Sequence, residues 1–320
     1  MLNLSEMRIM VTGGAGFLGQ PLCRKLRERG CRQISVPTVD EYDLTREDNV
    51  VRAYNDLRPD VVIHLAAEVG GIGANREHPG RFFYANMAMG MHMIEQARRR
   101  GIRKLVQIGT VCAYPKFAPV PFSENDIWNG YPEETNAPYG IARKALFVML
   151  DGYKREYGLN SAVVVPVNLY GPGDNFNPGT SHVIPALMRK CMEAVERGDD
   201  SIVCWGTGQA SREFLFVEDA AEGVIRAAEV MDDPVPINLG TGREIRISEL
   251  VKMIAGLWGF TGRIEWDSSK PDGQPRRCLD VARAEKLLGW RAQVSFDEGL
   301  RRTVDWLRTQ QKLREVVYGG

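Results

Sequence analysis

The sequence predicts an α/β chain: a Rossmann-type, doubly wound parallel sheet with a smaller C-terminal α/β substrate domain. Three observations carry that expectation. Short apolar runs alternate with segments of helical periodicity. A glycine-rich turn, Thr12-Gly13-Gly14-Ala15-Gly16-Phe17-Leu18-Gly19, follows the first apolar run and opens the first helix. The rhythm then breaks after Tyr170, where 171–181 is rich in Gly, Pro and Asn.

The elements follow in order. Residues 8–12 (RIMVT) form a strand, and 20–29 a helix whose Leu22, Cys23 and Leu26 share a face. Gly30 stops that helix, as glycine does past a C-terminus. Residues 33–36 are a strand, 50–57 a helix and 60–65 a strand. A long helix over 82–100 ends at Gly101, a strand covers 104–108, and a second long helix over 138–157 ends at Gly158, before a strand at 161–167. Near-continuous apolar strands between helices imply a parallel sheet covered on both faces. Beyond the 171–181 loop, helices are expected at 182–197, 217–230, 248–256 and 282–288, with short β segments at 214–217 and 237–239. The expected division is 1–171 plus about 211–240 for a dinucleotide, and about 172–210 plus 241–320 for a substrate.

Composition narrows the function. Hydrophobic residues are 44% and charged residues 26% of 320, which excludes global disorder. Lys plus Arg and Asp plus Glu each number 41, so bulk electrostatic binding to nucleic acid or an anionic membrane is not expected. Positive charge is local, as in Lys270, Arg276 and Arg277 of KPDGQPRR. No apolar run is long enough to span a membrane, and no signal peptide is visible. Six scattered cysteines lack C-x-x-C spacing and read as reduced thiols in a cytoplasmic protein with no metal site.

The turn satisfies G-x-G-x-x-G through Gly14, Gly16 and Gly19, and G-x-x-G-x-x-G through Gly13, Gly16 and Gly19. Such glycines permit a tight turn, close approach of a pyrophosphate and close helix–strand packing. The helix N-terminus offers N–H groups to phosphate. Phe17 and Leu18 complete the cradle, Leu65, Ala66 and Ala67 end the third strand beside it, and Asp43 could border the adenine. Residues 36–40 carry neither a basic residue nor an acid at the strand's immediate end, so NADP(H) and NAD(H) stay open on this reading.

Several longer motifs carry a resemblance: GGIGANREHP (70–79), TVCAYPK (110–116), PYGIARK (138–144), NLYGPGDNF (168–176), SHVIPAL (181–187), WGTG (205–208), REFLFVED (212–219) and KPDGQPRR (270–277). The chain resembles the extended short-chain dehydrogenase/reductases of the NAD-dependent epimerase/dehydratase family, and within it the GDP-L-fucose synthase group. The resemblance implies 3,5-epimerisation and 4-reduction of a 4-keto-6-deoxy sugar on a nucleoside diphosphate, GDP favoured, with NADP(H) preferred to NAD(H). It assigns Thr110 to the sugar carbonyl, Tyr139 to proton delivery, and Cys112 with His182 to proton exchange at C3 and C5. Tyr139 and His182 would also border the cofactor. The family places a lysine four residues after the tyrosine; here that position is Arg143, and Lys144 lies one further on, off the shared helix face. Arg143 would keep the positive charge by Tyr139 and the nicotinamide ribose. Substrate contacts are expected from Asn75, Asn168, Val183, Lys190, Trp205, Arg212, Lys270 and Arg277, and a homodimer from the helices 82–100 and 138–157. Two alternatives stand beside this reading. One is an epimerase-only enzyme, or one for a different nucleotide sugar, with hydride transfer weakened by Arg143. The other is a non-catalytic nucleotide-binding protein.

Overall fold

The computed structural model describes residues 1–270 and 272–318. Its first half alternates strand and helix: β1 (Arg8–Thr12), α1 (Gly19–Glu28), β2 (Gln33–Ser35), α2 (Glu47–Leu57), β3 (Val61–His64), α3 (Ile72–Glu77), α4 (Pro79–Arg99), β4 (Lys104–Ile108), α5 (Ala137–Tyr157) and β5 (Ser161–Pro166). The remainder runs β6 (Asn168–Tyr170), α6 (Val183–Arg197), β7 (Ser201–Trp205), β8 (Ser211–Phe216), α7 (Val217–Val230), β9 (Pro236–Leu239), β10 (Glu244–Arg246), α8 (Ile247–Trp258), β11 (Arg263–Asp267), α9 (Ala282–Leu288) and α10 (Phe296–Tyr318).

Six parallel strands form one sheet in the order β2-β1-β3-β4-β5-β9. The chain steps outward from β1 to β2, then crosses back to β3 on the other side of β1. The carboxyl ends of β1 and β3 therefore flank the crevice where strand order reverses, the place such sheets bind ligands. β3 and β4 are buried along their whole length, as expected of strands covered on both faces. On α1 the predicted stripe is the packed one: Leu22, Cys23 and Leu26 are all buried. α1 packs beside α7, while α4 packs along α5 and touches α2. The α4–α5 contact is close because Gly90 lies against Leu146, where a Cβ would overlap the leucine methyls.

A second core gathers Tyr170, Ile184, Met188, Cys191, Phe214, Phe216, Leu250, Ile254, Leu300 and Val304. It is framed by the three-stranded sheet β10-β8-β6, the parallel pair β11-β7, and helices α6, α8 and α10. β8 serves both cores through its period of two: Leu215 faces the first, Phe214 and Phe216 the second.

Three expectations need correction. The strand expected at 161–167 stops at Pro166, and β6 leaves for the second sheet, paired with β8. The segment expected at 214–217 begins at Ser211 and pairs with β6 and β10 rather than with the six-stranded sheet. The elements α3, β7, β10, β11 and α10 were not anticipated. β10 and β11 have no fully buried residue, so no apolar run marks them. α10 does carry a legible stripe, Leu300, Val304 and Leu307, beneath a densely charged outer face.

Leu146 is wholly buried at the α4–α5 contact. Leu146→Ala is expected to cost about 2–5 kcal/mol of unfolding free energy, read as a lower urea midpoint with an unchanged slope.

Candidate functional site

The glycine turn meets the crevice as the sequence leads one to expect. Gly13 has a φ of +70°, and a Cβ on it would lie 2.8 Å from the Ala66 nitrogen. Gly19 is pressed onto the Gly13 carbonyl, where a Cβ would overlap backbone. α1 starts on Leu18 without a side-chain cap, and the N–H groups of Phe17 and Leu18 meet no acceptor among the described residues. An uncapped helix N-terminus behind a glycine turn suits a pyrophosphate. Leu65, Ala66 and Ala67 pass beside it, and Leu65 N–H bonds the Thr12 carbonyl. Asp43 accepts from Thr45 N–H at 3.0 Å and Thr45 Oγ1 at 2.7 Å, closing its own turn.

Thr110 follows β4 and Tyr139 lies in the first turn of α5. The two segments meet because Gly140 sits on the Cys112 carbonyl, where a Cβ would overlap it. Burial raises the Tyr139 pKa, while Arg143 and Thr110 pull the other way. Arg143 is 1% exposed, and its guanidinium carbon lies 5.9 Å from the Tyr139 ring centre. Its Nη1 donates to the Ile108 carbonyl at 3.3 Å, and Nη2 to the Ala66 carbonyl and Asn86 Oδ1, each at 2.9 Å. Burial lowers its pKa, and Tyr139 opposes that shift. Lys144 points elsewhere, its Nζ 4.7 Å from the centre of the Trp128 ring. It does not replace the missing lysine.

Cys112 is half-buried, and Arg277 Nη1 lies 3.9 Å from its sulfur. Arg277 is held through Nε by Gln274 Oε1 at 3.2 Å, and Gln274 Nε2 donates to the Lys116 carbonyl at 2.8 Å. Arg212 donates to the carbonyls of Ser211 and Asp272, and burial with nearby Arg277 pulls its pKa down to about 10. Asp272 in turn accepts from Thr207 N–H at 2.8 Å and its hydroxyl at 2.7 Å. Lys270 lies over the exposed Trp205 ring at 5.5 Å. Thus 205–212 and 270–277 form one basic wall whose inner end is the Cys112 thiol.

His182 is the residue before α6, and Val183, half-buried, is the first of that helix. The His182 ring is exposed, yet the surrounding protein desolvates it and lowers its pKa, as happens inside a cleft. The preceding loop is tied by Asn175 to Thr180 at 2.9 Å, and its Ser181 carbonyl comes against Gly71. Among the described residues no hydrogen bond joins His182 to Cys112. Asn75 is buried, donating to the Gly70 and Gly71 carbonyls at 2.8 and 3.1 Å, so it shapes the loop from within. Asn168 donates to the Glu213 carbonyl at 2.9 Å, and Lys190 to the Val203 carbonyl at 2.7 Å.

Sequence reasoning missed Asn86, Gln274, Asp272 and Glu213. Gln274 and Asp272 lie within KPDGQPRR, whose bases alone drew notice. The Glu213 carboxylate is fully buried and accepts N–H groups from Thr241, Gly242 and Leu279. Nothing in a sequence marks such a carboxylate in advance, since its partners come from two distant segments.

Comparison with known proteins follows the same lines. The NAD dependent epimerase/dehydratase family matches residues 9–240. The sequence is 39% identical to GDP-L-fucose synthase of Escherichia coli, over 97% of this chain and 100% of that one. Among solved structures, a GDP-6-OMe-4-keto-L-xylo-heptose reductase from C. jejuni superposes with a TM-score of 0.90 at 27% identity, covering 96% of this chain and 99% of that one. A GDP-L-fucose synthetase from Naegleria fowleri bound to NADP gives 0.86 at 27% identity, over 95% and 94%.

The loop that carries His182 begins at Asp174, which is buried with Oδ2 unpartnered among the described residues. Burial raises its pKa from 3.8 to about 7. The folded state therefore resists ionisation that the unfolded chain accepts, and this group's contribution to stability falls as pH rises from about 4 to 7. Asp174→Asn is expected to match the parent at about pH 4 and exceed it by on the order of 3 kcal/mol at about pH 8. Urea titrations at both values check this.

Proposed function

The chain belongs to the NAD-dependent epimerase/dehydratase family, and from that premise we propose that it epimerises C3 and C5 of a GDP-linked 4-keto-6-deoxy sugar and then reduces C4, as a GDP-L-fucose synthase. The observation that carries this reading is the meeting of Cys112 with Tyr139 and Thr110 on one side and the Arg277–Arg212 wall on the other. One thiol thus adjoins both the carbonyl-reduction residues and a pair of bases fit for a diphosphate.

Protons next to a ketone are acidic enough for a side-chain base, and inversion needs removal on one face and return on the other. Cys112 and His182 take those two tasks. Cys112 accepts a proton from carbon as thiolate or returns one as thiol, and the His182 imidazole takes the opposite part from its cleft. For reduction, the Thr110 hydroxyl donates to the C4 oxygen and Tyr139 gives that oxygen its phenolic proton. NADPH supplies the hydride when bound, in the crevice between β1 and β3. Gly13, Gly14, Gly16 and the free N–H groups of Phe17 and Leu18 are suited to its pyrophosphate. Arg143 holds positive charge under the phenol and favours the phenolate that proton transfer leaves.

Arg143 also favours the epimerase-only alternative. Its two terminal nitrogens are already committed to Ile108, Ala66 and Asn86, and a guanidinium does not pass a proton on as an ammonium can. Proton exchange through Cys112 and His182 is untouched by that limit.

A homodimer through α4 and α5 fits the exposed Phe83, Tyr84 and Met91 on α4 and Val148 on α5. A cytoplasmic setting fits six unpaired cysteines. No helix among the described residues is long and apolar enough to cross a membrane.

The test is incubation with GDP-4-keto-6-deoxymannose and NADPH in deuterated water. The full reaction consumes NADPH and places deuterium at C3 and C5; deuterium without NADPH loss leaves an epimerase, and the absence of both changes refutes the proposal. Cys112→Ser and His182→Asn are each expected to slow exchange by about 10²–10⁴-fold. Arg143→Lys is expected to raise the turnover number for NADPH oxidation by about tenfold, and no rise would show that the arginine is no handicap.

A further inference from the structure

Thr12, His64 and Gln107 stand side by side at the carboxyl ends of β1, β3 and β4. Register pairs Thr12 with His64 and His64 with Gln107, and residues paired across register share a face. All three are fully buried. Thr12 Oγ1 lies 2.7 Å from His64 Nδ1 and accepts the Ala66 N–H at 3.4 Å. Burial and the neighbouring Arg143 pull the His64 pKa down to about 3, so the ring is neutral. The Thr12 hydroxyl has one proton to give and, among the described residues, no acceptor for it other than His64, so that proton is directed at Nδ1. Nδ1 is then the bare nitrogen, and the ring proton sits on Nε2.

That Nε2–H has no acceptor among the described residues, and Gln107 Oε1, on the neighbouring strand, has no donor. Both atoms are closed to solvent and belong to register-paired residues, so each can complement the other; Arg143 Nε–H, also without a partner among the described residues, is the competing donor. The far side of the Gln107 amide is already fixed: Nε2 donates to the Ile108 carbonyl at 2.9 Å, the same oxygen that receives Arg143 Nη1.

We propose that His64 and Gln107 are positioning residues for Arg143, with His64 Nε2–H donating to Gln107 Oε1. The bond completes a one-way chain from Ala66 N–H through Thr12, His64 and Gln107 to the carbonyl on which Arg143 rests. Direction is its essential property. Reversing the Gln107 amide would set two acceptor oxygens against each other at Ile108 and loosen the guanidinium beneath Tyr139. The kinetic consequence rests on the reading of Tyr139 and Arg143 as the reduction pair; the hydrogen-bond chain does not.

Nitrogen-15 NMR of the labelled full chain tests the chain itself, with the His64 signal assigned by its loss in His64→Gln. A neutral ring, protonated at Nε2 and bare at Nδ1 between about pH 5 and 8, is the expected result. The opposite tautomer, or titration within that range, overturns the proposal. Gln107→Leu tests the consequence. The turnover number for NADPH oxidation should fall about tenfold with KM for the GDP-sugar within about twofold. Deuterium exchange at C3 and C5 should be unchanged, and the Arg143 side-chain signals shifted. Unchanged turnover together with unmoved Arg143 signals overturns the positioning role. If the parent chain consumes no NADPH, the proposed reduction fails, and the tautomer and the Arg143 signals still decide this inference. If Gln107→Leu does not fold, the tautomer in the parent chain decides it.

Discussion

The buried guanidinium of Arg143 is the interaction on which the site depends. A charge taken out of water costs several kcal/mol unless its hydrogen bonds are replaced. Here the replacements are the Ile108 carbonyl at the end of β4, the Ala66 carbonyl beyond β3, and Asn86 on α4. Three parts of the chain are thereby fastened to α5 at the mouth of the crevice. Asn86 extends the tie, bonding both the N–H and the carbonyl of Glu68 in the loop after β3. Tyr139 inherits its place from this knot, one helical turn before the arginine.

A second buried ionisable side chain, Glu213, ties the two halves of the chain. Its carboxylate takes the N–H groups of Thr241, Gly242 and Leu279, and burial raises its pKa against those bonds. It lies on β8, the strand whose alternate residues enter the two cores, so the wall bearing Arg212 and Arg277 is anchored to the sheet bearing Thr110. Both knots use the same physics: an ionisable group out of water, made tolerable by backbone partners from segments far apart in sequence.

That physics explains what the sequence made legible. Local devices read directly. β1, β4, α7 and α9 carry their full bounds in periodicity and flanking residues, and the glycine turn announces the crevice. The long motifs also pointed to Thr110, Cys112, Tyr139, Arg212 and Arg277 as a group. What stayed hidden was non-local or weakly marked. β10 and β11 bury too little to show a pattern, and β6 departs from β5 after a single proline. Asn86, His64 and Gln107 read as ordinary polar residues in apolar segments until the sheet aligns them. The replacement of a lysine by Arg143 was visible as a letter. Its three anchors were not, because each comes from a different element.

The Gly140–Cys112 contact has a mechanical consequence. With no side chain between them, α5 and the segment after β4 press backbone to backbone, so thiol and phenol ride on one rigid body. His182 belongs to the other side of the cleft, on a loop leading into α6. On the proposed function, a sugar held between them meets Cys112 and Tyr139 on one jaw and the second proton-exchange group, His182, on the other. On that reading the intermediate need not be passed from one place to another, since thiol and phenol reach it from the same jaw.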